Sequence, residues 1–330
     1  MTVGIRKHKR LFLVLAIILV FLLTFATTIF VIIKIGEHRL KDNLLADEKL
    51  ELSDDFDYSA DVYHNGKAYY YNEDIVNILL LGVDKDLDKR KSQGQADAVY
   101  LASVNTAANK VNIFGISRNT LVGVDVFDAD GEYYATEEQQ ICLAYSYGKT
   151  DEQSSLNCAK SVSRLFYGVP INAYYTIYFD AVKQIVDSVG SFDVVLNEDL
   201  PLAFPQLKKG DTLRINGSNA LNYLRARGES NAPRLERQKD FIKKFVSLAK
   251  SKVAKNLSLP VDIYKQIAKE SVTDLDSASV AYMASQLINA EFNVLNIAGE
   301  SGFDGIYETF AVDQETLYNM VLENFYKTKG

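Results

Sequence analysis

Two aspartates and a set of arginines are the residues whose types and spacing could do chemistry. Asp84 directly follows the apolar run NILLLGV (77–83), and Asp97 directly precedes the run AVYLASV (98–104). Two carboxylates at one end of adjacent strands would offer hard oxygens to a cation such as Mg²⁺ or Mn²⁺. Such an ion takes few protein carboxylates and keeps positions for phosphate oxygens. The plainer alternative makes Asp84 a turn former and Asp97 a solvated strand start. Arg118 follows KVNIFGI (110–116), and Arg225, Arg227, Arg234, Arg237 and Gln238 fall within ALNYLRARGESNAPRLERQKDF. On a strand, Arg225 and Arg227 would share one face. On a helix, Arg234, Arg237 and Gln238 would do so. Guanidinium groups grip phosphate oxygens bidentately and stay charged at any working pH. If they converge, a polyanion such as pyrophosphate fits them better than a single carboxylate. The alternative is a surface helix whose arginines pair with Glu229 and Glu236.

Composition removes other chemistries. The histidines, His8, His38 and His64, all precede residue 65. The rest of the chain therefore lacks a Ser-His-Asp triad, an H-E-x-x-H zinc site and a histidine general base. Two cysteines cannot build a four-cysteine zinc site or an iron–sulfur cluster. Asp84, Asp86 and Asp88 fail as an EF-hand, because Lys89 and Gln95 stand where Gly and Glu are required. GISRN (115–119) fails as a nucleophile elbow, because Asn119 replaces the second Gly. A net charge of −7 on 330 residues is not the footprint of a nucleic-acid binder.

The elements that must position these groups are strand runs mixed with helical patterns. Strands are expected at 77–83, 98–104, 110–116, 174–179, 192–196 and 294–299, the second and third joined by the hairpin-length loop 105–109. Helical periodicity covers 181–189, stopped by Gly190, then 234–253, 276–290 and 313–326, with Asp274 and Asp313 placed as N-caps. No repeat or Pro/Gly-rich break divides residues 74–330. The expectation is one layered α/β(α) sandwich with a mixed central sheet.

Ahead of that body lies an anchor pattern. Arg6, Lys7, Lys9 and Arg10 precede an uncharged stretch, LFLVLAIILVFLLTFATTIFVII (11–33). As a helix it would reach about 35 Å, enough for the hydrocarbon core. It is longer than a signal-peptide apolar region, and no A-x-A-like site follows. A single transmembrane helix is expected, with residues 1–10 cytoplasmic and everything beyond it extracellular. Residues 34–73, with Asp54, Asp55, Asp57 and Asp61, read as an acidic extracellular linker. In an exported domain, Cys142 and Cys158 are expected to form a disulfide rather than stay as two buried free thiols. Closing that loop would contribute about 3 kcal/mol.

Six motifs in order, GVDKD, GQADAV, GISRNT, LAYSYG, ALNYLRAR and RLERQ, together with the anchor, resemble the LytR-CpsA-Psr family of bacterial cell-envelope proteins. The resemblance covers residues 74 to 327. It implies a transferase that attaches a polyprenyl-pyrophosphate-linked glycopolymer, such as teichoic acid or capsule, to peptidoglycan through a phosphodiester. It further implies Mg²⁺ held by Asp84 and Asp97, a pyrophosphate contacted by Arg118, Arg225 and Arg227, a contribution from Arg234, Arg237 and Gln238, and a hydrophobic tunnel for the lipid tail. Asp84, Asp97 and Arg118 are then the expected catalytic residues. The chain departs from the family pattern at several positions. Asp86 stands for an Arg, Asn119 and Asn231 for Asp, and Gln140 and Cys142 for Lys and Asn. An Asn cannot accept a proton as a carboxylate can. A lipid-pyrophosphate hydrolase and a non-catalytic binding scaffold are the rival functions. A DNA-binding attenuator is not, because ten residues ahead of the anchor cannot hold a helix-turn-helix.

Overall fold

Three long apolar runs form the centre of the fold, because each can be buried on both faces at once. The computed structural model describes residues 27–44, 61–84, 94–128, 130–226 and 231–328. Helix α1 (27–42) comes first, then strands β1 (Val62–His64), β2 (Lys67–Tyr71), β3 (Ile75–Val83), β4 (Ala96–Asn105), β5 (Lys110–Ile116), β6 (Leu121–Phe127) and β7 (Tyr133–Gln140). A 3-10 segment (Ile141–Tyr147) leads to α2 (Asp151–Leu165), β8 (Ala173–Tyr178), α3 (Phe179–Val189), β9 (Phe192–Val195), β10 (Thr212–Ile215), α4 (Ala220–Arg225) and α5 (Asn231–Val253). Then come α6 (Leu259–Gln266), β11 (Ser271–Thr273), α7 (Ser277–Leu287), β12 (Glu291–Asn296), β13 (Gly299–Phe303), β14 (Glu308–Val312), α8 (Gln314–Phe325) and β15 (Tyr326–Thr328).

The central sheet has the order β11-β8-β3-β4-β5-β12. It is mixed, as expected: β3 pairs β8 and β5 pairs β12 in parallel, while β3–β4, β4–β5 and β8–β11 are antiparallel. Side chains alternate between two cores. On β3, Leu79, Leu81 and Val83 enter the core covered by α2 and α8, and Val76 and Ile78 enter the core that includes Tyr282 and Met283 of α7. A third cluster joins α3, β9, β10 and α4 to Phe241 of α5.

One irregularity in this alternation matters. Gly82 pairs with Ala98 but Val83 pairs with Ala96, so Asp97 is the extra residue of a β-bulge. Ala96, Val99 and Leu101 consequently share one core. Ala98, Tyr100 and Ala102 are left to the opposite face, beside α5 and α7.

Several expectations need correction. Residues 61–71 of the expected linker belong to the folded body: β1 pairs β2, and β2 pairs the C-terminal strand β15. Residues 45–60 lie outside the described residues. So do 11–26 of the expected anchor; 27–42 is helical, and among the described residues no helix is long and apolar enough to cross a membrane. The end of α1 is docked on the body. Leu40 is buried, Arg39 pairs with Asp276, and Gly36 lies so near the Ala278 carbonyl that a Cβ would clash with it. Cys142 and Cys158 are free and buried, not bridged. Cys158 packs into the α2 core, while the Cys142 sulfur is engaged by Arg118. The α7 cap is Asp276, which accepts from the Ser279 amide; Asp274 instead accepts from the Tyr174 amide at 2.9 Å. Asp313 caps α8 as expected.

Candidate active site

The bulge places Asp97 where a strand end meets the first residues after β5. Its carboxylate pairs with Nη1 of Arg118, whose Nη2 donates to Gln95 Oε1 at 2.6 Å and meets Cys142 Sγ at 3.6 Å. Both ion-pair partners are only partly exposed, Arg118 at 27% and Asp97 at 18%. Asp84 is at the neighbouring strand end. It accepts from Arg225 Nη2 at 2.7 Å, and the Arg225 guanidinium sits over the Phe179 ring, 5.2 Å from its centroid. Each carboxylate of the expected pair therefore carries its own arginine. Arg225 closes α4 rather than lying on a strand, so the expected strand pairing of Arg225 with Arg227 does not arise; Arg227 lies outside the described residues.

Helix α5 divides its polar residues between two faces. Arg234 and Gln238 line the site, four residues apart as helical spacing predicts. Gln238 ties β4 to α4, accepting from Tyr100 OH at 3.4 Å and donating to the Leu224 carbonyl at 3.2 Å. Arg237 is not part of the site. Its side chain is fully buried, pairs with Glu198, and donates to the carbonyls of Tyr223 (3.1 Å) and Ala226. Those bonds engage all three guanidinium nitrogens and fix the end of α4, which carries Arg225.

Three cavities meet at Asp97 and Arg234. A polar one of about 490 Å³ adds Arg118, Asn222 and Arg225; a small one of about 50 Å³ adds Ser117, Arg118 and Asn119. The third, about 220 Å³, is greasy and runs between the sheet and α5, past Leu80, Tyr100, Ile177, Phe241 and Phe245. Beyond Leu80 and Phe245 it adjoins a fourth, about 350 Å³, lined by Ile78, Ala102, Ala249, Met283 and Leu287. A charged mouth thus adjoins two apolar cavities set in series along α5.

The electrostatics suit an anionic group at the mouth and a neutral one inside. Burial pushes the Tyr100 phenol up to about 12, against the pull of Arg234, so it stays protonated beside the channel. Burial also raises the Cys142 thiol, outweighing the nearby Arg118 charge. Among the described residues, no group of three or more His, Cys, Asp or Glu forms a metal cage. Asp84 and Asp97 supply two hard oxygen donors at adjacent strand ends. That set fits Mg²⁺, which completes its shell with water and phosphate oxygens.

Sequence reasoning missed the channel lining, Gln95 and Glu198. The lining did leave a signal. Leu80 and Ile78 recur at period two on β3, and Phe241, Phe245 and Ala249 at helical spacing on α5, but the same pattern describes any filled core. Two of the substituted positions are accounted for locally, while Asp86 and the Asn231 side chain lie outside the described residues. Asn119 Nδ2 donates to Glu308 at 3.3 Å, and Gln140 Nε2 donates to the Glu308 carbonyl at 2.6 Å.

Residues 35–324 match the model of the LytR_cpsA_psr family. A Bacillus subtilis (strain 168) protein, polyisoprenyl-teichoic acid–peptidoglycan teichoic acid transferase TagV, is 24% identical over 314 residues, 88% of this chain and 73% of that protein. The Enterococcus faecalis transferase TagU, of the same description, is 28% identical over 181 residues; the match spans 53% of this chain and 54% of that protein's length. A solved structure of TagT bound to LI-WTA aligns with a TM-score of 0.59 at 19% identity, over 84% of this chain and 94% of the other. At that identity the likeness is one of fold.

Proposed function

Because the chain belongs to the LytR_cpsA_psr family, we propose that it transfers a polyprenyl-pyrophosphate-linked anionic glycopolymer, of teichoic acid or capsule type, to peptidoglycan through a phosphodiester. The observation that carries this reading is the junction at Asp97 and Arg234, where a guanidinium-rich mouth opens into an apolar channel. A diphosphate with an isoprenoid tail has that same division of character. The relatives TagU and TagV, named as acting on polyisoprenyl-teichoic acid and peptidoglycan, point the same way.

In this reading the isoprenoid lies along the channel and the diphosphate lies between Arg118, Arg225 and Arg234. A sugar hydroxyl of peptidoglycan attacks the phosphorus that bears the glycopolymer. A new P–O bond to the sugar forms, the P–O bond to polyprenyl phosphate breaks, and the hydroxyl proton passes to a carboxylate. Asp97 is assigned that role, as the acid that lines all three cavities at the mouth. The arginines hold the charge that builds on the departing phosphate, so catalysis rests on positioning and electrostatics. Asp84, with water and phosphate oxygens, would hold Mg²⁺, which supplies charge neutralisation of the diphosphate when bound and leaves Asp97 able to take the proton. The hydrophobic segment 11–33 anchors the protein with its body outside the cell, where the acceptor lies.

The test is turnover of a lipid-pyrophosphate-linked polymer by the full-length protein with peptidoglycan present, with and without EDTA. Polymer should appear on the wall and polyprenyl phosphate be released, and EDTA should abolish both. Polymer released free into solution would identify a hydrolase instead. Binding without turnover would identify a scaffold.

A further inference from the structure

The greasy space along α5 is two chambers, not one. The inner chamber, about 220 Å³, touches the charged mouth through Asp97, Arg225 and Arg234. The outer chamber, about 350 Å³, has no residue in common with that mouth. Two residues border both: Leu80 of β3 and Phe245 of α5. Phe245 packs against two neighbouring rings. It stacks on Phe241, with ring centroids 6.1 Å apart and planes within 6°, and meets Phe192 edge-on at 6.5 Å. From Arg234 to Phe245 the helix rises about 16 Å, and from there to Val253 about another 12 Å.

We propose that the gap between Phe245 and Leu80 is the gate through which a long isoprenoid carrier gains a second chamber that a short one does not use. The inference rests on the lipid-carrier reading above and concerns the tail rather than the diphosphate. A short tail ends within the inner chamber, against the Phe245 ring, and does not pass it. A long tail must pass the ring to gain the apolar surface of the outer chamber, whose Ile78, Ala102, Met283 and Leu287 would otherwise face an unfilled space. Burial of that surface is the source of any preference for length. The size of the side chain at position 245 therefore sets whether the second chamber contributes to binding. Residues at the mouth act on both lipids alike.

The experiment is equilibrium binding of farnesyl pyrophosphate and undecaprenyl pyrophosphate to the full-length protein in detergent micelles. Wild type should prefer the long lipid. Phe245→Trp fills the passage. It should weaken undecaprenyl pyrophosphate binding by about tenfold, the scale of an overpacked apolar site, and weaken farnesyl pyrophosphate binding less. Thermal unfolding of the variant beside wild type shows that it is folded. Phe245→Ala, which cannot overpack, should keep the preference for the long lipid or increase it. Equal losses for both lipids in Phe245→Trp, or no change in either, would overturn the gate while leaving the lipid-carrier reading intact. If wild type binds neither lipid, the lipid-carrier reading fails and the gate fails with it.

Discussion

Arg234 and Arg237 stand one turn apart on α5 and face opposite surroundings. Arg234 borders the charged cavities, whereas Arg237 is sealed in the protein against Glu198 and two backbone carbonyls. The R-x-x-R spacing thus divides one helix between the cavity mouth and the packed interior. Burial lowers the pKa of Arg237, and Glu198 raises it again, so the pair stands or falls together.

Arg237→Ala should destabilise the fold by about 3–5 kcal/mol, because it leaves Glu198 beside an emptied site and strips two carbonyls of their donor. Replacing Arg237 and Glu198 together by apolar residues should cost much less. Arg234→Ala should leave stability nearly unchanged and weaken lipid-pyrophosphate binding. Denaturant titration of the variants checks this. An Arg237→Ala protein as stable as wild type would remove the structural role.

At the mouth, Arg118→Ala and Asp97→Asn should each lower polymer transfer by about 10²–10³-fold, the scale for removing one preorganised charge partner from a reacting centre. Arg118→Lys should recover only part of the loss, because an ammonium cannot donate to Asp97 and Gln95 at once through a planar fork. Turnover measured beside thermal unfolding separates a catalytic loss from a folding loss. Full transfer by either variant rules out the assigned role.

The two cysteines predict behaviour toward reductant and base. Reducing agent should leave the unfolding temperature unchanged, and denatured protein should take up an alkylating reagent at both Cys142 and Cys158. Burial raises both thiols, and the neighbouring Cys142 adds to the shift of Cys158. A group whose pKa is raised on folding binds more protons in the native state. Its stabilising effect is complete below the unfolded-state value, about 8.5, and is lost as pH rises above it. Stability should therefore hold through neutral pH and decline on the alkaline side. Cys158→Ala should flatten that decline, and a slope unaltered by the substitution would assign it elsewhere, first to the buried phenols of Tyr145 and Tyr178.

The central sheet was legible because β3, β4 and β5 are apolar on both faces and too long to be anything but core strands. The hairpins β6–β7 and β13–β14 were not, because segments such as YYATEEQQ are mostly exposed and carry no alternation. Helix α2 escaped for a related reason: its buried face is built from Ser154, Ser155, Cys158, Ala159 and Ser161, small residues that a hydropathy pattern does not register. Of the candidate residues, Asp84, Asp97, Arg118, Arg225, Arg234 and Gln238 come together. Arg237 does not, since spacing along a helix narrows which side a residue takes without saying what waits there. The disulfide was expected from the compartment, whereas the Cys142 sulfur turns toward Arg118.

The bulge at Asp97 makes the division between filled core and open channel a matter of counting. Downstream of it, even-numbered positions on β4, such as Tyr100 and Ala102, flank the channel, and odd-numbered ones fill the opposite core. A one-residue deletion beyond the bulge, at Val99, would exchange the two sets. Leu101 would then block the passage, and the Tyr100 hydroxyl would be driven into an interior with no place for it. Loss of Asp97 alone would instead restore regular pairing with Gly82 and Val83, so this strand tolerates a change of length only at its bulge.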